Sequence, residues 1–340
     1  MFERSKNMAL DIGIDLGTAN VLIYVSGKGI VLNEPSVVAI DTNTNQVLAV
    51  GSEAYQMVGK TPSNIRAIRP LKDGVISDFD VTEEMLSYFI KKLNVRGIMS
   101  RPSIMICTPT NTTEIERKAI LQAAEKSGGN KVYLEVEPKV AAIGAGMDIF
   151  QPRGNMVIDI GGGTSDIAVL SLGDIVASSS LRMAGDRMNQ DIVNYVKDQH
   201  HLLIGERSAE QVKIQIAQVF KQDGDDDKVT QVRGRDTVTG MPRSIDIDSN
   251  QVEEAIHETL MQIVSTAHHV METLPPEIAA DIIDRGITLT GGGALLSGLD
   301  QVISENLKVP VMVAEHPLNN VAQGAGILLE HMQKTAKNKK

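Results

Sequence analysis

One cysteine, no tryptophan and few aromatic residues (3%) occur among the 340 residues. Cys107 therefore has no partner for an intramolecular disulfide. Its place in the apolar run Ile104-Met105-Ile106-Cys107 fits burial as a small hydrophobe in a reducing compartment. No stretch approaches the roughly 18 apolar residues of a transmembrane helix, and the N-terminus lacks a signal-peptide apolar region. A cytoplasmic location is expected, with membrane contact at most peripheral. Positive charge is also scarce: 33 Lys and Arg stand against 43 Asp and Glu, a formal net charge of -10. The one basic cluster, Lys334 to Lys340, reads as a solvated end, so no nucleic-acid partner is expected. No His and Cys spacing matches a zinc site, and His200-His201 and His268-His269 sit in helical patterns as surface positions. Gly59-Lys60-Thr61 resembles the end of a P-loop, but Ala54 stands where its first glycine belongs and no apolar strand leads in, so it reads as a turn. No proline- or serine-rich linker occurs, so packed helices are expected to join the two halves of the chain.

What the chain does have is glycine loops at the ends of apolar runs: Asp15-Leu16-Gly17-Thr18, Asp159-Ile160-Gly161-Gly162-Gly163-Thr164 and Thr290-Gly291-Gly292-Gly293. The first two look like copies. Each reads strand, Asp-x-Gly turn, strand, tight turn, strand, the first continuing through Val21 to Val25 into Gly27-Lys28-Gly29 and the second through Ile167 to Leu170 into Gly173-Asp174. A length of 340 residues with 42% hydrophobic residues accommodates two domains with full cores.

Local signals fill in the plan. Residues 9 to 40 predict an antiparallel meander. Helices are predicted from Thr82 as N-cap to Leu93, and from the capping box Thr113-x-x-Glu116 to Ser127, where Gly128-Gly129 stops it, with the strand Ser103 to Thr108 between them. Further helices are expected near Met188 to His201 and from Ser208, with Gln211 completing a box, to Phe220. Segment 221 to 250 reads as a polar excursion with short strands. A long amphipathic helix, Gln251 to Leu274, is ended by Pro275-Pro276, the strand Gly286 to Thr290 enters the third glycine loop, and a last helix covers Val321 to Met332.

Backbone N–H groups exposed by a glycine turn form a nest for phosphate oxygens, which accounts for Gly17, Gly161, Gly162 and Gly163. A carboxylate beside a triphosphate repels it unless a cation intervenes, so Asp15 and Asp159 predict Mg²⁺, held through its water shell. Hydrolysis also needs a group to orient the attacking water. Glu137 precedes Pro138 and opens the helix-like run Lys139-Val140-Ala141-Ala142-Ile143-Gly144-Ala145-Gly146, which puts its carboxylate at a helix N-terminus. The small residues of that run and of Val321 to Gly326 predict two helices crossing closely between the domains.

The runs Asp11 to Asn20, Gly27 to Ser36, Ile68 to Val75 and Asp281 to Gly293 resemble the MreB/Mbl family of bacterial actin homologues, over residues 9 to 332. The resemblance implies an α/β, actin-like (duplicated ribonuclease H-like) fold: two domains, each with a smaller inserted subdomain, around a nucleotide cleft. Residues 1–33 and 76–145 would form subdomain IA, 34–75 IB, 146–183 with 248–340 IIA, and 184–247 IIB. It further implies an ATPase with ATP and Mg²⁺ as cofactors. Asp15, Gly17, Thr18, Ala19 and Asn20 match the first phosphate loop, and Asp159, Gly161, Gly162, Gly163 and Thr164 the second. Glu137 matches the water-positioning glutamate with Thr164 as its partner, and Glu206 and Lys213 match positions near the adenosine beside Gly291, Gly292 and Gly293. Val136 replaces a second Glu common in the family, and Ser165 a Thr. Implied partners are other copies of the chain in double protofilaments, the inner face of the cytoplasmic membrane, and membrane cell-wall synthesis proteins such as RodZ and MreC. Candidate membrane contacts are Met1 and Phe2 with Met8 and Leu10, and the Ile98-Met99 pair flanked by Arg96 and Arg101. A helix–strand connector is the plainer reading of that pair.

Other classes share this nucleotide fold. An Hsp70-like chaperone needs a substrate-binding domain after the ATPase, for which the chain offers about eight residues beyond its last expected helix. A sugar or acetate kinase needs a second substrate pocket with its own base, and no residue offers itself. An idle nucleotide-gated scaffold is opposed by the presence of both Glu137 and Thr164.

Overall fold

The computed structural model describes residues 11–93, 102–222 and 226–338; the expected membrane contacts Met1, Phe2, Met8, Leu10, Ile98 and Met99 lie outside them. Two compact units result: the residues up to Asp148 together with those from Leu318 on, and Ile149–Pro317.

The first unit begins with the predicted meander, β1 (Ile12–Leu16), β2 (Asn20–Val25) and β3 (Gly29–Pro35), paired antiparallel. A small sheet follows, built from β4 (Val38–Asp41), β5 (Val47–Val50) and β6 (Ile65–Ile68) with helix α1 (Ser52–Met57) packed on it around Val37, Ala39, Ala49 and Ala54. The ribbon β7 (Leu71–Lys72) and β8 (Val75–Ile76) leads to α2 (Phe79–Lys92). Then β9 (Ser103–Thr108), α3 (Glu114–Lys126) and β10 (Lys131–Val136) extend the main sheet on the other side of β1, parallel to it, in the order β10-β9-β1-β2-β3. Helix α4 (Glu137–Gly144) follows β10 with no linker.

The second unit repeats this order. Its meander is β11 (Asn155–Ile160), β12 (Ser165–Ser171) and β13 (Asp174–Leu181). Helices α5 (Gly185–His200) and α6 (Glu206–Ile216) accompany a second small sheet of β14 (Leu202–Leu203), β15 (Val229–Asp236) and β16 (Pro242–Asp248). After α7 (Ser249–Glu272) and α8 (Pro276–Arg285) comes β17 (Ile287–Thr290), then α9 (Leu299–Leu307) and β18 (Val311–Val313), giving the order β13-β12-β11-β17-β18 with β11, β17 and β18 parallel. Helix α10 (Asn320–Asn338) returns to the first unit and packs on α4, β1 and β9.

Several expectations are corrected. Asp78, not Thr82, caps α2: its carboxylate accepts from the Val81 amide at 3.2 Å, while Thr82 lies one turn in, buried, its hydroxyl donating to the Asp78 carbonyl at 2.7 Å. Helix α6 starts after Gly205 without a side-chain cap, so Ser208 and Gln211 make no capping box, and the helix ends at Ile216 because Ala217 is extended. The capping box at Thr113 and Glu116 forms as expected, and α7 carries another between Asp248 and Gln251. Pro275-Pro276 ends α7 but also opens α8, since a proline in the first turn forfeits no helical hydrogen bond. The excursion at 221–250 is dominated by one long hairpin, β15–β16.

The two small-residue helices do cross closely, but α4 and α10 both belong to the first unit, so residues 318–338 leave the second half to which the sequence had assigned them. Contact is backbone to backbone: a Cβ on Gly144 would stand 1.9 Å from the Asn320 carbonyl oxygen, and one on Gly324 1.8 Å from that of Val140. Cys107 lies beneath this crossing, buried, its thiol 3.9 Å from the Val321 carbonyl. Helix propensity alone favours Gly324→Ala by about 1 kcal/mol. The contact reverses that sign, and urea unfolding should show a loss of about 1–3 kcal/mol from overpacking. An unchanged or raised midpoint would mean that the two helices are not held at backbone distance.

Candidate functional site

In the first unit, the parallel strands β1, β9 and β10 end along one edge of the sheet, where ligands of α/β sheets usually bind. Asp15 and the turn Gly17-Thr18-Ala19-Asn20 leave β1 there, and Glu137 leaves β10 there as the first residue of α4. The turn is braced from outside. Ser36 donates its hydroxyl to the Gly17 carbonyl at 2.6 Å and its amide to the Ala19 carbonyl at 2.9 Å, Gly74 donates its amide to the Thr18 hydroxyl at 3.1 Å, and Asn20 donates its side-chain amide to Asn33 at 3.2 Å. Ser36 and Gly74 fall inside segments that the family resemblance singled out, yet nothing local in the sequence marks them as props. Near Glu137, the neighbouring acid Glu135 is engaged by Lys139 at 3.0 Å.

In the second unit, β11 and β17 end side by side. The loop after β11 closes on itself, the Gly161 amide donating to the Thr164 carbonyl at 2.9 Å. The N-terminus of α5 then seats against it, with the amides of Gly185 and Asp186 donating to the carbonyls of Gly161 (3.1 Å) and Gly162 (2.8 Å). Lys213 reaches over from α6 and donates to the Gly185 carbonyl at 2.8 Å. Glu206, exposed, is the first residue of that helix, two turns before Lys213 and so on the same side of it. Gly185 and Asp186 were not anticipated; a Gly-Asp pair opening a helix after the meander was the available signal. The third loop lies on the end of β11: Gly291 has φ +80, and a Cβ there would stand 2.4 Å from the Ile160 carbonyl oxygen and 2.5 Å from an Asp159 carboxylate oxygen. Its amide donates to the Pro317 carbonyl at 3.0 Å. Asp159, Gly161 to Thr164, Lys213 and Gly291 to Gly293 are thus gathered in one unit, and Asp15, Gly17 to Asn20 and Glu137 in the other.

The donor set suits a hard cation. Asp159 is 5% exposed, and burial pushes the half-buried Asp15 carboxyl up to about 7, so ionising Asp15 is costly without a nearby positive charge. Among the described residues no three His, Cys, Asp or Glu side chains cluster as a cage. An ion such as Mg²⁺, which keeps most of its waters, needs no such cage.

A sequence profile of the MreB/Mbl protein family matches residues 9–337. The chain belongs to the MreB/Mbl family. It is 63% identical over 331 residues to the cell shape-determining protein Mbl of Bacillus subtilis (strain 168), covering 97% of this chain and 99% of that one. It is 50% identical over 325 residues to the cell shape-determining protein MreB of Escherichia coli (strain K12), covering 94% and 93%. The crystal structure of MreB5 of Spiroplasma citri bound to AMPPNP superposes with a TM-score of 0.92 at 38% identity, covering 98% of this chain and 99% of that one. The MamK double helical filament, at 23% identity and a TM-score of 0.81, shares the fold. The fold is actin-like, as the family resemblance implied, and among the described residues no helix is long and apolar enough to cross a membrane.

The folded chain holds the Asp15 proton more tightly than the unfolded chain does, so this group's contribution to stability is complete below about pH 4 and is lost as the pH rises through about 7. Nucleotide-free protein should lose stability between about pH 4 and pH 7, by an amount of order 4 kcal/mol at most from Asp15. Asp15→Asn should flatten that slope in urea unfolding. An identical slope in the variant would show that Asp15 ionises without penalty.

Proposed function

We propose that this chain is an ATP-hydrolysing, filament-forming cytoskeletal protein that lies on the inner face of the cytoplasmic membrane, organises cell-wall synthesis and maintains rod cell shape. One observation carries the reading: two copies of the same strand-loop-strand unit each put a carboxylate and a glycine loop at the edge where the parallel strands of a mixed sheet end. Structures of MreB5 of Spiroplasma citri bound to AMPPNP and to ADP, and the cell shape-determining role named for the Bacillus and Escherichia relatives, support it.

In this reading the amides of Gly17 to Asn20 and of Gly161 to Thr164 take the phosphate oxygens, and Glu206, Lys213 and Gly291 to Gly293 hold the adenosine. Asp15 and Asp159 hold the water shell of Mg²⁺, whose charge would offset that of the phosphates during transfer. Glu137 and Thr164 orient the attacking water. The two small sheets, with their flanking helices, are the inserted subdomains IB and IIB. Head-to-tail assembly is a heterologous interface that need not close, so it yields filaments, and two protofilaments pair. Membrane contact through Met1, Phe2, Ile98 and Met99 is weak per subunit and is multiplied along a filament. Recruitment of membrane proteins such as RodZ and MreC would link the filament to wall synthesis.

Purified protein with Mg-ATP and anionic liposomes should pellet as paired filaments on vesicles under electron microscopy, and not without nucleotide. A chain that hydrolyses ATP while remaining monomeric would instead be a soluble ATPase of the same fold. Ser at both Ile98 and Met99 should reduce vesicle binding without abolishing filaments; unchanged co-sedimentation removes this pair as an anchor. Glu137→Ala should keep nucleotide affinity and slow phosphate release by about 100-fold or more. Asp159→Ala should weaken Mg-nucleotide binding itself.

A further inference from the structure

We propose that Ser36 is a positioning residue for the nucleotide's phosphates, holding the first glycine loop so that the Thr18 and Asn20 amides face the ligand. The inference rests on the ATPase reading above. Ser36 donates its hydroxyl to the Gly17 carbonyl at 2.6 Å and its amide to the Ala19 carbonyl at 2.9 Å. Each of those carbonyls shares a peptide unit with the amide of the next residue, and in a planar trans peptide the C=O and N–H bonds point in opposite directions. A grip on the Gly17 carbonyl therefore turns the Thr18 amide away from Ser36, and a grip on the Ala19 carbonyl does the same for Asn20. A carbonyl swung into the nest would repel the phosphate oxygens that the amides attract.

Ser36 can serve as a fixed point because it is itself held. It is fully buried, it follows Pro35, whose φ is locked, and it precedes Val37, which lies in the core between α1 and the small sheet of β4 to β6. The Val37 carbonyl accepts the Gly51 amide at 2.9 Å, which ties this segment to the start of α1. The duplication supplies an internal comparison. Counted from Asp15 and Asp159, Gly17 corresponds to Gly161, and the Gly161 carbonyl is likewise taken from outside, by the Gly185 amide at 3.1 Å. The neighbouring Gly162 carbonyl is taken by the Asp186 amide at 2.8 Å. In both copies the donors come from the chain just after the third strand of the meander. The second copy uses backbone amides for both bonds, whereas the first uses a side-chain hydroxyl for one of them. Two chemical solutions at one carbonyl mark the orientation of the loop as the property maintained. A loop held in its binding orientation is spared the cost of ordering when the phosphates arrive.

The full chain is compared as wild type, Ser36→Ala and Ser36→Cys for affinity toward Mg-ATP and toward adenosine, and for nucleotide-free thermal midpoint. Cysteine fills nearly the same space with a weak donor, so it carries the test if alanine disturbs folding. Both variants are expected to bind Mg-ATP about 10-fold more weakly and adenosine within about 2-fold of wild type, because adenosine has no phosphate for the loop to hold. Wild-type Mg-ATP affinity in both variants overturns the inference while leaving the ATPase reading intact. So does a parallel loss of Mg-ATP and adenosine affinity with a lower midpoint, which would mark Ser36 as a packing residue alone. A wild-type chain that binds Mg-ATP no more tightly than adenosine would sink the ATPase reading as well.

Discussion

Both sheets depend on one constraint: a central strand covered on both faces has its carboxyl end as the outlet for polar chemistry. β1 and β11 each run between an antiparallel hairpin partner and a parallel neighbour, with Ile12, Ile14, Ile158 and Ile160 fully buried. The hairpin turn after each must therefore fall on the same edge at which the parallel strands end. That is why a glycine turn, a carboxylate and the ends of β9, β10 or β17 meet within each unit. Glu137 follows from the same geometry. Val136 is the last residue of β10 and the N-cap of α4, so the next residue stands both at the sheet edge and at a helix N-terminus.

A carboxylate buried at such an edge is costly to ionise without a positive charge beside it, and the two copies bury theirs differently. Asp15 is half-buried and holds its proton to about 7 through burial, whereas Asp159 lies beneath the third glycine loop, against Gly291. A cation and phosphates would reverse the penalty, because any ligand that binds only the folded chain stabilises it by mass action. Stability and nucleotide occupancy are then linked through the same groups, and removal of a carboxylate would be read in opposite directions by binding and by unfolding of the empty chain.

The features legible in the sequence were local ones. The two meanders were legible because strand, Asp-x-Gly turn and strand follow one another within about twenty residues, and the Thr113 box because both its members lie in one turn. Misplaced caps came from competition within a few residues: Asp78 lies four before Thr82, and Gly205 three before Ser208. The braces on the loops, Ser36, Gly74, Gly185 and Asp186, were missed because each acts through a tertiary hydrogen bond made by a backbone amide or a small hydroxyl, and only the Gly-Asp pair opening a helix left a local trace. Helix α10 shows a different limit. It follows β18 as α4 follows β10, so by chain order it belongs to the second copy, and only its packing on α4, β1 and β9 groups it with the first.

That exchange makes the duplication more than a repeat. The equivalent helices of the two copies, α4 and α10, cross at Gly144 and Gly324 with no side chain between them, so α10 becomes a rigid backing for the helix that begins at Glu137. A packed backbone contact of this kind tolerates sliding poorly, since any added atom meets a carbonyl oxygen. The first copy, which places Leu22 opposite its carboxylate, gains a helix-borne acid held by this crossing. The second copy has no acid at the start of its own equivalent helix, where Asn320 stands, and carries instead a second carboxylate on the sheet itself, Asp166. The two copies have thus diverged in where they keep their polar groups while retaining one strand order, and the divergence falls at the carboxyl edge where the chemistry must be.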